Sequence, residues 1–269
     1  PPPPPPPPTT LLSSAASDVY KRQEEKDNNT LFVTGTDTSV GKTYVCARLL
    51  EFLKAKGIQA GYQKWVATGV KAGLPEDLAL CLKAASISPK PELVKQQAPY
   101  CFSFPASPHL AAEMEDRTVD SEVIEANYKF LAAKYEWLIV EGVGGIMVPL
   151  RRNLLLADLL KRLQPRTLVV ARSGLGTLNH TLLTLEALRN REIPVLGVVF
   201  SDSKDREDER LVQDNMKIIE EIGMARVFGR LPRQQNDAKA RSAFMPVGQA
   251  IWEQLLHDES SICGREKRF

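Results

Sequence analysis

The 269-residue chain carries almost no net charge: 35 basic against 33 acidic side chains leave a formal +2. It lacks the basic domain or stripe that marks a nucleic-acid binder, so nucleic acid is not an expected partner. No apolar run approaches the roughly 20 residues that a membrane-spanning helix requires, and no membrane span is expected. The four cysteines, Cys46, Cys81, Cys101 and Cys263, lie far apart with no CxxC pair. They form neither a disulfide framework nor zinc spacing, and reduced thiols in a cytoplasmic protein are expected. What is present is a mixed globular composition, 43% hydrophobic and 25% charged. Such a balance argues against wholesale disorder.

Proline is unevenly spread, with eight of the 19 forming the first eight residues. A polyproline run is extended and solvated, with no internal hydrogen bonds. The stretch behind it, TTLLSSAASDVYKRQEEKDNNT, has no sustained periodicity. It lacks the apolar segment of a secretory signal, and its acids argue against a transit peptide. Residues 1–30 are therefore expected to be a disordered or non-native extension. Residues 31–257 are expected to form a single domain, and residues 258–269 a polar tail.

Across that domain, short apolar runs alternate with longer amphipathic ones. Strands are expected at 31–34, 60–64, 137–140, 167–171, 195–200 and 226–229. Runs such as WLIV and VLGVVF suit strands buried on both faces of a parallel sheet. Helices are expected at 42–56, 77–85, 121–134, 154–163, 178–190, 208–222 and 246–256. Gly57 and Gly223 stand where helix ends commonly need a left-handed residue. The alternation predicts an α/β fold, a doubly wound and mostly parallel sheet with helices on both faces. Ligands of such sheets bind outside the carboxyl ends of the strands.

The first strand runs into Gly35-Thr36-Asp37-Thr38-Ser39-Val40-Gly41-Lys42-Thr43. The usual phosphate loop has one residue fewer between its glycines, but its essentials survive. Glycines let backbone N–H groups curl around an anion, and the helix N-terminus adds its positive dipole end. Lys42 offers a cation to the β- and γ-phosphates, and Thr43 a hydroxyl to Mg²⁺. The second strand ends at Lys64, either a surface lysine or one placed to meet a transferring phosphoryl group. Asp77 reads as a helix N-cap or a first-turn acid. Glu141 directly follows the buried run WLIV, the position of a magnesium-binding acid; buried there it needs a metal or lysine partner. Gly142, Gly144 and Gly145 permit close backbone approach to a ligand. The helix start at Gly176, Thr177, Leu178 and Asn179 offers N–H groups to a substrate carboxylate. His180 and His109 read as structural rather than catalytic.

The segment GTDTSVGKT resembles the modified phosphate loop of the dethiobiotin synthetases, GTDTxVGKT. The resemblance extends to Lys64 and Thr68, which match KPVxTG with Trp65 in place of proline, and to Glu141-Gly142-Val143-Gly144-Gly145, which matches VEGAGG with one change. GTLNHTLLT and the turn Gly229-Arg230-Leu231-Pro232 match later segments, so the likeness spans about residues 31–232.

This resemblance implies a P-loop fold, ATP and Mg²⁺ as cofactors, and a homodimer with its active site near the interface. It implies carboxylation and ureido ring closure of 7,8-diaminononanoate with CO2 or bicarbonate. Carried over by position, Lys42 and Lys64 are catalytic. Gly35, Thr38, Ser39, Val40, Gly41, Lys42, Thr43, Ser201 and Pro232 bind nucleotide. Thr38, Lys64, Thr68, Gly144, Gly176, Leu178 and Asn179 bind substrate, and Thr43, Asp77 and Glu141 bind the metal. Ser201 stands where well-known members have an adenine-contacting Asn. Two other P-loop classes compete: an amidotransferase-type ligase, and a partitioning-type dimer switch. The switch carries KGGxGKT, whose signature lysine would fall at Asp37.

Overall fold

The structure, a computed structural model, describes residues 29–202, 207–234 and 236–265. The extension expected over 1–30 falls outside them except at its last two residues. Thr30 already belongs to the first strand and is buried.

Six strands form one parallel sheet: β1 (Thr30–Gly35), β2 (Ala60–Lys64), β5 (Trp137–Gly145), β8 (Arg166–Arg172), β9 (Val195–Ser201) and β10 (Val227–Leu231). Their order is β10-β9-β8-β1-β5-β2, and every paired neighbour is parallel. From β1 the chain runs to the β2 edge, returns inward to β5 and crosses over to β8. The carboxyl ends of β2, β5 and β1 therefore share one crevice.

Successive side chains of a strand point to opposite faces, and each face has its own core. Leu31, Val33, Ile139, Leu168 and Val170 pack with α1 (Lys42–Ala55), α2 (Glu76–Ala84) and α9 (Asp237–Arg265). Phe32, Leu138, Val140, Val169 and Ala171 pack on the other side with α5 (Ser121–Lys134), α6 (Leu156–Leu163), α7 (Thr177–Arg189) and α8 (Glu209–Glu221). Each such Leu, Ile or Phe contributes roughly 1.5–3 kcal/mol on burial. This is the doubly wound architecture that the apolar runs predict.

Smaller pieces went unsignalled. The strands β3 (Val66–Thr68) and β4 (Tyr100–Phe102) pair in parallel as a separate two-stranded sheet. A second pair, β6 (Pro149–Arg151) and β7 (Leu154–Leu155), is an antiparallel hairpin, so the helix expected from 154 begins two residues later. Two short helices, α3 (Pro91–Gln97) and α4 (Pro108–Glu113), start with proline in the first turn, where its missing N–H costs nothing. Gly57 adopts φ 79, as expected at a helix end. Gly223 does not; the positive φ falls on Met224, and Gly223 is required because a Cβ there would lie 2.3 Å from the Ile219 carbonyl oxygen.

The last helix departs most from expectation. Expected only over 246–256, it spans Asp237–Arg265 and carries Pro246 inside it. Its buried stripe, Ala240, Phe244, Val247, Ile251 and Leu255, runs straight through the proline. The polar tail expected from 258 is thus partly helical. Among the described residues, no helix is long and apolar enough to cross a membrane.

Candidate active site

The phosphate loop is built by β1 and α1. Thr36 N donates to Val170 O at 3.0 Å, tying the loop to β8. Ser39 (φ 55) and Gly41 (φ 100) take left-handed conformations that curl the chain back on itself. Glycine is needed at both ends. A Cβ on Gly35 would lie 2.7 Å from Val40 Cγ2 and 3.0 Å from Lys42 Nζ, and one on Gly41 would lie 2.6 Å from Ser201 Oγ. Lys42 is buried, and its ammonium donates to the Asp37 carbonyl at 2.8 Å. Burial, and then repulsion from Lys64, push its pKa down to about 8.

Strand register brings the second cation to its partner. Lys64 closes β2 and stands directly opposite Glu141 of β5. Parallel neighbours in register show their side chains on the same face, and Lys64 Nζ reaches Glu141 Oε1 at 2.6 Å and Asp77 Oδ2 at 2.8 Å. It also donates to Gly142 O at 3.2 Å. Thr43 Oγ1 donates within 2.9 Å of both Asp77 Oδ1 and Glu141 Oε1. Glu141 is therefore inside an extended strand rather than just beyond it, and at 1% exposure it has the lysine partner that its burial demands. Asp77 is a first-turn acid of α2; Pro75 holds the cap position.

Burial alone would lower the Lys64 pKa. The opposed charges of Glu141 and Asp77 overcome it and hold the ammonium above the ordinary lysine value. Burial likewise works to raise the Asp77 pKa, but Lys64 and the Thr43 hydroxyl hold its carboxyl below the usual range.

Two adjoining clefts open above the strand ends. One, of about 460 Å³, is lined by Thr38, Ser39, Gly41, Lys42, Thr43, Lys64, Thr68, Asp77, Glu141 and Gly144. The other, of about 300 Å³, is lined by Ser39, Val40, Gly41, Ser201 and Pro232 among others. Ser39, Gly41 and Tyr44 border both. A phosphate loop shared by two clefts, one holding paired lysines and carboxylates, can receive a phosphorylated ligand that spans them.

The family model described as an AAA domain matches residues 29–240. The chain is 41% identical over 199 residues to the ATP-dependent dethiobiotin synthetase BioD of Methanococcus vannielii, covering 74% of this chain and 91% of that one. It is 43% identical over 196 residues to the same-named protein of Endomicrobium trichonymphae, covering 71% and 87%. With that of Bacillus cereus it shares 35% identity over 237 residues, covering 87% and 97%.

The chain belongs to the dethiobiotin synthetase family.

Among solved structures, it resembles the MinC:MinD cell division protein complex of Aquifex aeolicus (TM-score 0.52, 14% identity, 85% of this chain and 95% of that one). The cell division ATPase MinD of Pyrococcus furiosus is similar (TM-score 0.50, 15% identity, 84% and 99%). These likenesses concern the fold alone.

Against the dethiobiotin synthetase pattern, five expected residues line neither cleft: Gly35, which lies beneath the loop against Val40 and Lys42, the buried Thr177, and three more at the same helix start. Gly176, Leu178 and Asn179 open α7 beside the 88%-exposed Leu175, and they line neither cleft. Trp65, in the proline position, is anchored in the core. It is fully buried, with its ring 4.8 Å from Phe32 and its indole N–H on Gln63 Oε1 at 3.1 Å. Sequence reasoning missed three residues. Tyr62 donates to Glu141 Oε2 at 2.7 Å; two residues before Lys64 on the same strand, it shares that face by simple alternation. Tyr44 borders both clefts. Arg172, a charge at the carboxyl end of an apolar strand, pairs with Asp37 at 2.9 Å.

Proposed function

We propose that this chain closes the ureido ring of dethiobiotin on 7,8-diaminononanoate, using CO2 and ATP, in the cleft between the phosphate loop and Lys64. The observation that carries this reading is the convergence of Lys42, Lys64, Thr43, Asp77 and Glu141 on one cleft in a chain of this family.

One amine of the substrate adds to CO2, forms a C–N bond and loses a proton to give a carbamate. A carbamate oxygen attacks the γ-phosphorus of ATP; the bond from phosphorus to the bridging oxygen breaks and ADP leaves. The second amine then attacks the carbamoyl carbon. The C–O bond to phosphate breaks, phosphate departs, and loss of a proton completes the ring.

The electrostatic problem is to bring two anions together. At ~4 Å, two unit charges interact by about 4 kcal/mol at an effective dielectric of ~20. Lys42 and Lys64 offset that repulsion and stabilise charge on the transferring phosphoryl group. Lys64 is suited to this because Glu141 and Asp77 keep it charged and fixed. Gly35, Thr38, Ser39, Val40 and Gly41 wrap the phosphates with Lys42. Ser201 and Pro232 border the base, and Thr68 and Gly144 border the diamine.

The residues present suit a magnesium ion. Thr43, Asp77 and Glu141 offer a hydroxyl and two carboxylates, all hard oxygen donors of the kind that ion selects. When bound, it would neutralise phosphate charge at this end of the cleft. The protein acts as a homodimer, in which Gly176, Leu178 and Asn179 of one copy serve the substrate end of the cleft in the other. Gly176 and Asn179 are exposed beside Leu175, Leu178 is half-buried against the core, and none of the three lines a cleft of its own copy, which supports this.

The test is ADP release by purified protein with Mg²⁺ and ATP. Release that requires both the diamine and bicarbonate supports the assignment. Release indifferent to either would defeat it.

A further inference from the structure

We infer that Arg172 is a positioning residue of the phosphate loop: its guanidinium holds and neutralises the Asp37 carboxylate, which would otherwise oppose the nucleotide phosphates. This rests on the reading that the loop binds a nucleoside triphosphate.

Asp37 poses an electrostatic problem in such a loop. It puts a carboxylate between Gly35 and Gly41, where the surrounding N–H groups and Lys42 are arranged to attract an anion. The carboxylate is not buried out of the way, its side chain being 47% exposed. One oxygen, Oδ1, accepts from Thr38 N at 2.7 Å, which helps set the turn. The other, Oδ2, accepts from Arg172 at 2.9 Å. Lys42 does not cancel the charge directly, because it meets Asp37 only at the backbone carbonyl. Among the described residues, Arg172 is the one cation paired with Asp37.

Arg172 is well placed for this work. It ends β8, the strand whose Val170 carbonyl already accepts from Thr36 N. The same strand thus grips the loop twice, through backbone at Thr36 and through side chain at Asp37. A half-exposed ion pair contributes little to fold stability. Asp37 lines neither cleft but belongs to the loop that Thr38, Ser39, Gly41 and Lys42 present to one of them. The value of the pair is therefore expected in nucleotide affinity, since an unpaired carboxylate within the phosphate loop repels a triphosphate.

Removing the charge at position 37 should therefore make Arg172 dispensable. The substitution Asp37→Asn keeps a side-chain oxygen that can accept from Thr38 N, so it changes the charge and leaves the turn intact. The experiment measures binding of magnesium-ATP by calorimetry, with thermal melting as a control. Arg172→Gln is expected to weaken binding about tenfold, equivalent to ~1.4 kcal/mol, with an unshifted melting temperature. The double variant Arg172→Gln/Asp37→Asn is expected to return within about twofold of wild type. Asp37→Asn alone is expected to bind at least as tightly as wild type. Arg172→Gln binding like wild type, or a double variant as weak as Arg172→Gln, would overturn the inference. Should Arg172→Gln fail to fold, Asp37→Asn decides: undiminished affinity supports the inference and weakened affinity overturns it. A wild-type protein that binds no ATP would instead overturn the nucleotide reading on which this rests.

Discussion

Replacing Lys64 by methionine should separate the stability of the site from its chemistry. The Lys64 side chain is 6% exposed and that of Glu141 is 1% exposed. Removing one partner of a buried ion pair costs about 3–5 kcal/mol, because the other charge is left unpaired. Glu141 would keep its bonds from Tyr62 and Thr43, which places the expected loss near the lower end, ~3 kcal/mol. In a domain of this size each kcal/mol moves Tm by about 2–4 °C, so Tm should fall by about 6–12 °C. Turnover should fall more severely, by ~10²–10³ in kcat, the usual effect of deleting one electrostatic contact to a transition state. Adding Glu141→Gln removes the more deeply buried of the two carboxylates left unpaired, the other being the partly exposed Asp77, and should restore most of the lost Tm while kcat stays low. Thermal melting and steady-state ADP release give the two readouts. A folded Lys64→Met variant with near-normal turnover would refute the role of the lysine. A double variant no more stable than Lys64→Met would refute the buried-pair reasoning.

Lys42, with its pKa near 8 in the folded protein, gives a pH signature. Between pH 8 and the unfolded value of 10.5 the unfolded chain binds the extra proton, so the contribution of Lys42 to stability improves as pH rises through that window. Nucleotide affinity should move the opposite way, falling above pH 8 as the ammonium is lost. Calorimetric titration from about pH 7 to about 9.5 spans this change, and Lys42→Met should flatten the profile. Trp65→Pro restores the residue usual in the family, yet it should destabilise the protein by about 3–5 kcal/mol, the range for losing a large core aromatic. A raised melting temperature would contradict that expectation. Gly41→Ala should lose ATP binding at least roughly tenfold. Adding Ser201→Ala should not rescue it, since the positive φ remains strained after the clash is relieved.

Much of the molecule was legible because the sheet is buried on both faces. The 60–64 strand and the 121–134 helix appear with the boundaries their apolar patterns imply. Lys64 and Glu141 are legible as polar residues that follow apolar strand runs; the structure puts Glu141 within β5 rather than at its end, and the register with Lys64 explains why they meet. What escaped notice had little periodicity to offer. The strands Val66–Thr68 and Tyr100–Phe102 have three residues each, too few to display an alternation. Pro246 reads as a helix start, but the buried stripe from Ala240 carries the helix through it. Tyr62 and Arg172 carry no local signal of their own. Their roles arise from contacts between separate strands and loops, and Arg172 in particular acts on a residue 135 positions away.

Ring closure by this protein is followed through carbon. The protein is incubated with Mg²⁺, ATP, 7,8-diaminononanoate and ¹³C-bicarbonate, and the products are weighed by mass spectrometry. Dethiobiotin carrying one ¹³C atom, formed in step with ADP, is expected. ATP consumed with no labelled ring, or no turnover at high protein concentration, would contradict ring closure by this protein.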